Sequence, residues 1–440
     1  MRRPPLFARS RSAPADRDPA QSTGLWQHRD FLWLWSSQTV SQFGSQISQL
    51  ALPLVAIVAL GESAFAVAML GMVEFLPFLL FSLPAGVWVD RLRRRPILVA
   101  SDVLRAAALV SVPVAYWLDA LTIWQLYVVG FVVGVGTVFF DVAYQSYLPT
   151  LVKRDELSDG NSKLELSRSA AQLAGPGFAG VLIGVLTAPV AVLADAISFV
   201  VSGVLITRIR TTEPKAVTAD RRSLFSELWE GLRYVLGNQY VRGMAASVAI
   251  FNFFGNVGGS IILVYFVREL GLSATTIGLV LGLGNVGFLV GALLARRVEA
   301  RVGVGRTIVG SSMLSVPGLL LVPLAPQDIA VPVLIASGVI VGFAIVLYNV
   351  TAISLMQAIT PDRLLGRMNA SRRFFVWGVI PLGAITGGVL ASTIGLRPTL
   401  FVAAIGASLA VLPLLLSPIR SLVRVPDEDQ SSAIPSASSA

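Results

Sequence analysis

Residues 64–89 read AFAVAMLGMVEFLPFLLFSLPAGVWV, and residues 90–95, which follow directly, are the strongly basic DRLRRR. An apolar run of this length is enough to cross a bilayer core of about 30 Å as a helix. Its one charged residue is Glu74. An apolar run that ends in an arginine cluster is typical of a transmembrane helix whose end faces the cytoplasm.

The composition of the whole chain agrees with this first segment. Of 440 residues, 55% are hydrophobic and 13% are charged, and the formal net charge is +9. Because a soluble chain carries about 25% charged residues, the composition excludes a soluble enzyme, a disordered chain and a nucleic-acid binder. Cysteine is absent and His28 is the only histidine, which excludes thiol, disulfide and histidine-based metal chemistry. We expect no cofactor, no bound metal and no enzyme activity.

The chain contains twelve stretches long and apolar enough to span a bilayer. Alternating strand patterns are absent, so the predicted fold is an all-α polytopic membrane protein. The predicted spans cover residues 31–58, 64–89, 96–117, 121–147, 166–187, 189–208, 240–266, 273–295, 307–324, 329–355, 373–393 and 397–417.

The positions of lysine and arginine predict the orientation in the membrane. The loops after odd-numbered spans contain only Arg268 and Arg397, whereas nearly all other basic residues lie on the other side. Basic loops stay in the cytoplasm, so we expect both termini to be cytoplasmic in a cell (inner) membrane. The expected domains are a disordered cytoplasmic N-terminus (1–30), an N-terminal six-helix bundle (31–208), a cytoplasmic linker with an amphipathic helix (209–239), a C-terminal six-helix bundle (240–417) and a disordered cytoplasmic tail (418–440).

The linker predicts a helix with one apolar face. That face suits a helix lying at the membrane surface or packed beneath the bundle, and the two placements are compatible. Its apolar residues are Leu224, Phe225, Leu228, Trp229, Leu232 and Leu236.

The two halves of the chain repeat each other. Gly61-x-Ser63-Ala64 recurs 210 residues later as Gly271-x-Ser273-Ala274, each directly before an even-numbered span. At a separation of 208, Asn161, Gly175 and Gly180 recur as Asn369, Gly383 and Gly388. Two parallel six-helix repeats with a site near the midplane are typical of secondary transporters.

The loop after the second span, GVWVDRLRRRPIL, is similar to the signature G-x-x-x-D-R-x-G-R-R-x-x-L of the major facilitator superfamily. Arg93 stands where the signature has its second glycine. The segment AGPGFAG, with Gly175, Pro176 and Gly180, resembles the motif of drug antiporters in that superfamily. Within it, residues 30–418 resemble the branch of enterobactin exporters and macrolide-efflux proteins. The matching loop residues are Gly86, Asp90, Arg91, Arg94, Arg95 and Leu98.

The resemblance implies that the loop signature is part of a gate. Gly86 would let the second and third helices approach closely, and the loop arginines would pair with carboxylates when the protein faces outward. Asp141, towards the cytoplasmic end of its helix, is the expected partner. The alternative is that these arginines only set the topology.

Ionisable residues inside the spans are costly in hydrocarbon and therefore candidate functional groups. Asp102 and Arg105 lie three residues apart on one helix face, which predicts an ion pair. Asp195 is expected to hydrogen-bond between helices. Glu74 has no basic residue within a turn on its own helix, so it could take up and release protons. The alternative for Glu74 is a protonated carboxyl hydrogen-bonded between helices.

A polar stripe on the first span predicts the lining of a central cavity, because so many amides would be expensive against lipid. Asparagines of later spans and Trp377 are expected to complete it. A cavity of amides and aromatics with little fixed charge suits a bulky, weakly charged compound. The predicted lining residues are Gln38, Gln42, Gln46, Asn252, Asn256, Asn285, Asn349 and Trp377.

These observations predict a secondary transporter of a small-molecule substrate, working as a monomer by alternating access in the lipid bilayer. The resemblance favours efflux of a siderophore, macrolide or drug-like compound in exchange for protons. An importer or uniporter of a metabolite is the first alternative, and a non-transporting membrane sensor or enzyme is the second. No GxxxxGK[ST] motif is present, so ATP-driven pumping by this chain alone is not expected.

Overall fold

The computed structural model describes residues 25–154, 156–211, 213 and 224–422, and the regular elements among them are all helical. The helices of the first half, which carry the first six spans, are α1 (Arg29–Leu54, extended by a π turn at Val55–Ala59), α2 (Ala64–Arg91), α3 (Arg94–Trp117), α4 (Ile123–Leu151), α5 (Leu157–Leu186) and α6 (Ala188–Thr207). They are followed by α7 (Leu224–Gly237), α8 (Gln239–Gly259), α9 (Ile262–Arg268), α10 (Ala274–Gly284), α11 (Val286–Val302), α12 (Val304–Leu324), α13 (Ala330–Ile359), α14 (Asp362–Ile394), α15 (Leu396–Ser408) and α16 (Val411–Leu416).

The described helices confirm a polytopic all-α membrane protein. Eleven helical segments are long and apolar enough to cross a membrane, and Gly378–Ile394 of α14 adds a shorter apolar helix. Two helices begin earlier than the spans predicted within them, because α5 begins at Leu157 and its span at residue 166, and α14 begins at Asp362 and its span at residue 373. Backbone hydrogen bonding continues a helix into water beyond its apolar part, so hydropathy alone places the boundary too late.

Three predicted single spans are interrupted helices. α8 and α9 are separated at residues 260 and 261, α10 and α11 at Asn285, and α15 and α16 at residues 409 and 410. The first break follows the pair Gly258–Gly259, and the second follows Gly282 and Gly284. Glycine has low helix propensity, so glycine-rich turns are where a long helix breaks at least cost.

Equivalent turns adopt the same conformation in both halves. Gly61 and Gly271 have φ of 67° and 64°, in the left-handed region that glycine tolerates. Ser63 and Ser273 then cap α2 and α10, because each hydroxyl accepts from a backbone N–H three residues on at 3.2 Å. The repeat read in the sequence is therefore a repeat of structure.

The basic end of the bundle is defined here as the end where α1, α3 and α5 begin, and the opposite end as the one where α2, α4 and α6 begin. At the opposite end one buried apolar cluster joins both halves, with Ile57 and Val67 from the first half and Phe266 and Ile277 from the second. At the basic end the described buried residues form a separate apolar cluster in each half.

Two helix crossings and several side-chain hydrogen bonds connect the halves. α5 packs on α10, and α2 packs on α14. At the opposite end the Arg268 guanidinium donates to the carbonyl of Gly61 at 3.2 Å and to that of Glu62. The halves are therefore sealed together at the opposite end.

The linker helix α7 packs against α14 and α8. The Tyr234 hydroxyl donates to the Ile359 carbonyl at 2.9 Å, while Trp229 and Leu236 remain exposed. The predicted face residues Leu224, Phe225 and Leu228 lie outside the described side chains. α7 thus lies under the second half with apolar side chains still exposed, which accommodates both expected placements.

Candidate functional site

A buried ion pair lies at the centre of the first half. Asp102 and Arg105 of α3 are 0% and 3% exposed, and the Arg105 guanidinium hydrogen-bonds to the Asp102 carboxylate. The guanidinium also lies 4.5 Å from the ring centre of Phe140 and 4.0 Å from that of Phe199. Two aromatic faces and one carboxylate stabilise the cation away from water. The ion pair expected from the three-residue spacing is present.

Two more carboxylates lie within electrostatic reach of the same arginine. Asp195 of α6 is 1% exposed and accepts from the Ser198 hydroxyl at 3.0 Å. The positive charge of Arg105 attracts the carboxylates of Asp195 and of Asp141, which lies on α4. The charge of Arg168 also attracts the Asp141 carboxylate. No described hydrogen bond or ion pair joins Asp141 to an arginine, so its expected pairing with the loop arginines stays a prediction. We call Asp102, Arg105, Asp141 and Asp195 the charged cluster.

The charged cluster leaves buried polar atoms without partners among the described residues. The hydroxyls of Ser202 and Ser48 interact with the carboxylates of Asp102 and Asp195. The Arg105 Nε and the Gln38 amide nitrogen have no partner among the described residues. Such groups are rare in folded proteins because they cost free energy, and they concentrate where protons or water are handled.

Glu74 lies apart from this cluster, on α2. Its side chain is partly buried and packs on Gly130 of α4, where an added Cβ would lie 2.8 Å from Glu74 Cγ. No hydrogen bond or ion pair to Glu74 is found within the described part of the chain. An ionised carboxylate in such surroundings is costly unless a cation or a hydrogen-bond donor stabilises it.

The loop signature anchors α3 to α6 within the first half. The backbone N–H groups of Arg94 and Arg95 donate to the Glu213 carboxylate at 2.6 and 2.8 Å. The Arg95 side chain donates to the carbonyls of Ile206, at 3.2 Å, and Thr207. The side chains of Arg91 and Arg93 are exposed.

Two other positions of this loop differ from expectation or lie outside what is described. An added Cβ at Gly86 would have no described neighbour within 4 Å, so the expected close approach at Gly86 is absent in this conformation. Arg93 has φ of −70°, which any residue adopts, so the loop does not need the missing glycine. The side chain of Asp90 lies outside the described set.

The AGPGFAG segment forms the crossing of α5 with α10. An added Cβ at Gly180 would lie 2.6 Å from the Ala274 carbonyl oxygen and 2.8 Å from Gly278 Cα. An added Cβ at Gly278 would in turn clash with the Pro176 carbonyl oxygen. Gly175 packs on the side chain of Gln46 from α1. These glycines allow two backbones to touch across the boundary between the halves.

The glutamines of the polar stripe of α1 line neither of the two cavities described for this chain, and their place in a substrate cavity stays a prediction. Gln38 is buried, and Gln42 and Gln46 are partly buried. Asn256 donates to the Asn252 carbonyl of its own helix at 2.8 Å. Asn285 was expected to line the cavity, but its amide donates to the Gln172 carbonyl of α5 at 2.7 Å and so connects the halves. The side chain of Trp377 lies outside the described set.

A cavity of about 270 Å³ lies between α8, α12 and α13 in the second half. We call it the hydroxyl cavity, because serines supply much of its polar lining. Two predicted residues, Asn252 and Asn349, line it with Phe251 and Tyr348. Four serines of its lining were not predicted: Ser247, Ser311, Ser312 and Ser315.

The signal that would have found three of these serines is the repeat itself. Ser312 and Ser315 occur 210 residues after Asp102 and Arg105, and Ser311 occurs 210 residues after Ser101. Asn349 occurs 208 residues after Asp141. The charged cluster and the hydroxyl cavity therefore occupy equivalent places in the two halves.

A family model described as "Transmembrane secretion effector" matches residues 23–438. Macrolide efflux protein A of Streptococcus pyogenes is 24% identical over 388 residues, covering 83% of this chain and 90% of the relative. Multidrug efflux pump Tap of Mycolicibacterium fortuitum is 27% identical over 353 residues, covering 77% and 83%.

Solved structures show the same fold. A bacterial homologue of the iron transporter ferroportin in an inward-facing state superposes with a TM-score of 0.73 at 17% identity, covering 88% of this chain and 98% of that one. The nucleoside transporter NupG gives a TM-score of 0.68 at 12% identity, covering 88% and 98%.

Proposed function

Because the chain belongs to the transmembrane secretion effector family of major facilitator transporters, we propose that it exports a bulky organic compound in exchange for protons. The chain is a multi-pass membrane transporter and not an enzyme. The relatives named for macrolide and multidrug efflux favour a macrolide, siderophore or drug-like substrate and outward transport.

The observation that carries this proposal is the asymmetry between the two ends of the bundle. One apolar cluster and the Arg268 contacts join the halves at the opposite end, while each half has its own cluster at the basic end. With the basic end in the cytoplasm, as the positive-inside rule requires, this conformation receives substrate from the cytoplasm. Rocking about the α5–α10 and α2–α14 crossings would expose the substrate to the outside.

The hydroxyl cavity is the proposed place of substrate contact. Its described lining offers hydroxyls, amides and the rings of Phe251 and Tyr348, and none of its lining residues is charged. Such a lining orients an uncharged or weakly charged organic group through hydrogen bonds and apolar contact. At about 270 Å³ the cavity holds part of a macrolide-sized compound, so the rest would extend between the halves.

Proton coupling is proposed for the first half. Two aspartates of the charged cluster, Asp102 and Asp195, are buried beside one arginine, Arg105, so full ionisation of these three groups would leave a net charge of −1 in a buried place. Since buried uncompensated charge is costly, the cluster must hold protons in at least one state of the cycle. Glu74 offers a further carboxyl without a cationic partner.

The direct test is transport by the purified full chain in liposomes with an imposed pH gradient, using erythromycin as the probe. In liposomes that are acidic inside, we expect the proton gradient to drive erythromycin into the lumen. The protein molecules whose basic end faces the outside of the liposome should carry out this uptake. Liposomes made with the Gly180→Leu variant, which blocks the α5–α10 crossing, serve as the inactive control. Equal erythromycin in both preparations contradicts the macrolide assignment. If the same liposomes release preloaded ethidium at a rate that does not depend on the pH gradient, this result contradicts proton coupling.

A further inference from the structure

A second cavity lies at the basic end of the first half, away from both sites described above. It has a volume of about 730 Å³ and is bounded by the start of α1, the start of α3 and the end of α6. Four arginines and one carboxylate line it: Arg29, Arg95, Arg208, Arg210 and Asp30. We call it the arginine pocket.

The carboxylate of the arginine pocket is already engaged. Asp30 accepts from the backbone N–H groups of Arg210 at 3.2 Å and Thr211 at 2.8 Å, and from the Thr211 hydroxyl at 2.6 Å. The neighbouring Glu213 is likewise occupied by two N–H groups at the start of α3. These bonds fix the loop after α6, and neither carboxylate forms an ion pair with a guanidinium group of the pocket within the described residues.

The guanidinium groups are available to a ligand. None of the ion pairs found among the described residues includes Arg29, Arg208 or Arg210, and all three side chains are exposed. Arg95 reaches the end of α6 through carbonyl groups only. Guanidinium groups pair with phosphate oxygens in a planar, two-pronged geometry, so several arginines around one cavity favour a phosphate-bearing ligand.

An apolar track continues from the arginine pocket towards the bilayer. Ile197, Val201 and Val204 are exposed on α6 and precede Arg208 at spacings of three or four residues, so they share one helix face. Trp33 also lines the pocket, and tryptophan is enriched where a membrane protein meets the headgroup layer. The pocket therefore has a phosphate-binding end and a hydrocarbon-facing end.

We propose that the arginine pocket binds an anionic phospholipid, with its phosphate among the arginines and an acyl chain along Ile197, Val201 and Val204. Basic pockets on the cytoplasmic side of transmembrane bundles suit such headgroups. A free phosphate ion would satisfy the arginines but would leave the apolar track empty. A lipid in this place connects the ends of α1, α3 and α6.

Native mass spectrometry of the full chain, released from detergent micelles, tests the proposal with two added probes, phosphatidylglycerol and phosphatidylcholine. We expect at least tenfold preference for phosphatidylglycerol. The Arg208→Gln/Arg210→Gln variant should lose that preference, because it removes two guanidinium groups and leaves the backbone bonds to Asp30. The matched control is Arg296→Gln/Arg297→Gln, which makes the same charge change at the same end of the second half and should retain the preference.

Inorganic phosphate distinguishes the two sources of the anion. Millimolar phosphate should not displace bound phosphatidylglycerol, and Val204→Asp, which places a charge on the apolar track, should weaken the lipid several-fold. Arg29→Gln, outside the loop after α6, should also reduce the preference and does not depend on the folding of the double variant. Equal loss in the control pair, displacement by phosphate, or retention of the preference in both arginine variants would each overturn the proposal.

Discussion

The two halves place different chemistry on the same frame. In the first half, α3 and α4 contribute Asp102, Arg105 and the partly buried Asp141, which form the charged cluster with Asp195. At the equivalent places of the second half, Ser312, Ser315 and Asn349 line an uncharged cavity. The position equivalent to Asp195, 208 residues later, is Ala403.

This difference teaches how a duplicated bundle can divide its work. Charge removed from water must be neutralised by protons or partners, so it suits the handling of ions. Neutral hydroxyls and amides around an open volume suit the recognition of an organic compound. Our central claim is that the first half carries the coupling protons and the second half contacts the substrate.

The largest expected effect is that of Arg105→Leu. The change removes the buried cation that pairs with Asp102, and loss of one partner of a buried ion pair costs about 3–5 kcal/mol. We expect a fall in the melting temperature of the purified protein in detergent, measured by intrinsic tryptophan fluorescence. The equivalent change in the second half, Ser315→Leu, fills part of a cavity and should cost less.

A double variant sharpens that prediction. Asp102→Asn together with Arg105→Gln removes both charges and leaves a polar side chain at each position, so it should be more stable than Arg105→Leu alone. A double variant as unstable as the single one would show that Arg105 acts by packing between Phe140 and Phe199, and the charge argument would fail.

The next effect concerns the two crossings between the halves. At α5–α10, Gly180 meets Gly278 backbone to backbone, whereas at the equivalent α14–α2 crossing Gly388 meets Ala68, and an added Cβ would lie 2.9 Å from the Ala68 Cβ. Gly180→Ala should cost about 1–3 kcal/mol of overpacking and slow transport. Gly388→Ala should do the same more weakly.

A second substitution can restore transport only at the α14–α2 crossing. Ala68→Gly removes the methyl group that an alanine at 388 would meet, so the double variant should regain transport. The first crossing has no partner side chain to shorten, because Gly278 is already glycine. The rate of dye efflux from cells measures this recovery. If the Gly388→Ala/Ala68→Gly variant is as slow as Gly388→Ala alone, the contact assigned to Gly388 is contradicted.

Removing hydroxyls from the second half should affect binding alone. We expect Ser312→Ala to weaken substrate binding about tenfold, since one hydrogen bond is worth about 1 kcal/mol and an unpaired polar group adds to the loss. Tryptophan-quenching titration of the purified protein measures the Kd. The control in the first half is Ser101→Ala, at the position equivalent to the neighbouring Ser311, which should leave the Kd within twofold. Equal weakening by both would argue against a division between the halves.

The smallest expected effect tests the repeat itself. Ser63 and Ser273 make the same capping bond at 3.2 Å, and loss of such a cap costs about 1 kcal/mol. Ser63→Ala and Ser273→Ala should therefore lower the melting temperature by similar, small amounts. A large difference between them would show that the two turns are not equivalent in energy.

Much of the fold could be read from the sequence, because the bilayer requires long apolar helices and the repeat fixes their order. The breaks at Asn285 and at residues 260 and 261 could not, since hydropathy continues through them. Neither could the early start of α14 at Asp362, where backbone hydrogen bonds extend the helix beyond its apolar part.

The candidate site could be predicted less completely. The Asp102–Arg105 pair follows from spacing along one helix, whereas the position of Asp195 beside it depends on the packing of α6 against α3. Asn285 illustrates the limit: an amide in a span is polar wherever it points, and only tertiary contact shows that it bonds to Gln172. The serines of α12 were overlooked because a single hydroxyl barely alters the apolar character of a span.

The number of protons moved per substrate molecule tests most directly the claim that the first half carries the protons and the second half contacts the substrate. In liposomes with a pH-sensitive dye inside, the Glu74→Gln/Asp195→Asn variant should bind substrate within twofold of the unaltered protein and move no protons with it. Asparagine at 195 keeps the oxygen that accepts from Ser198, so the fold is preserved. The Ser312→Ala variant should show the reverse, a weaker Kd with an unchanged proton-to-substrate ratio. Full substrate-driven proton movement by the Glu74→Gln/Asp195→Asn variant would contradict the account.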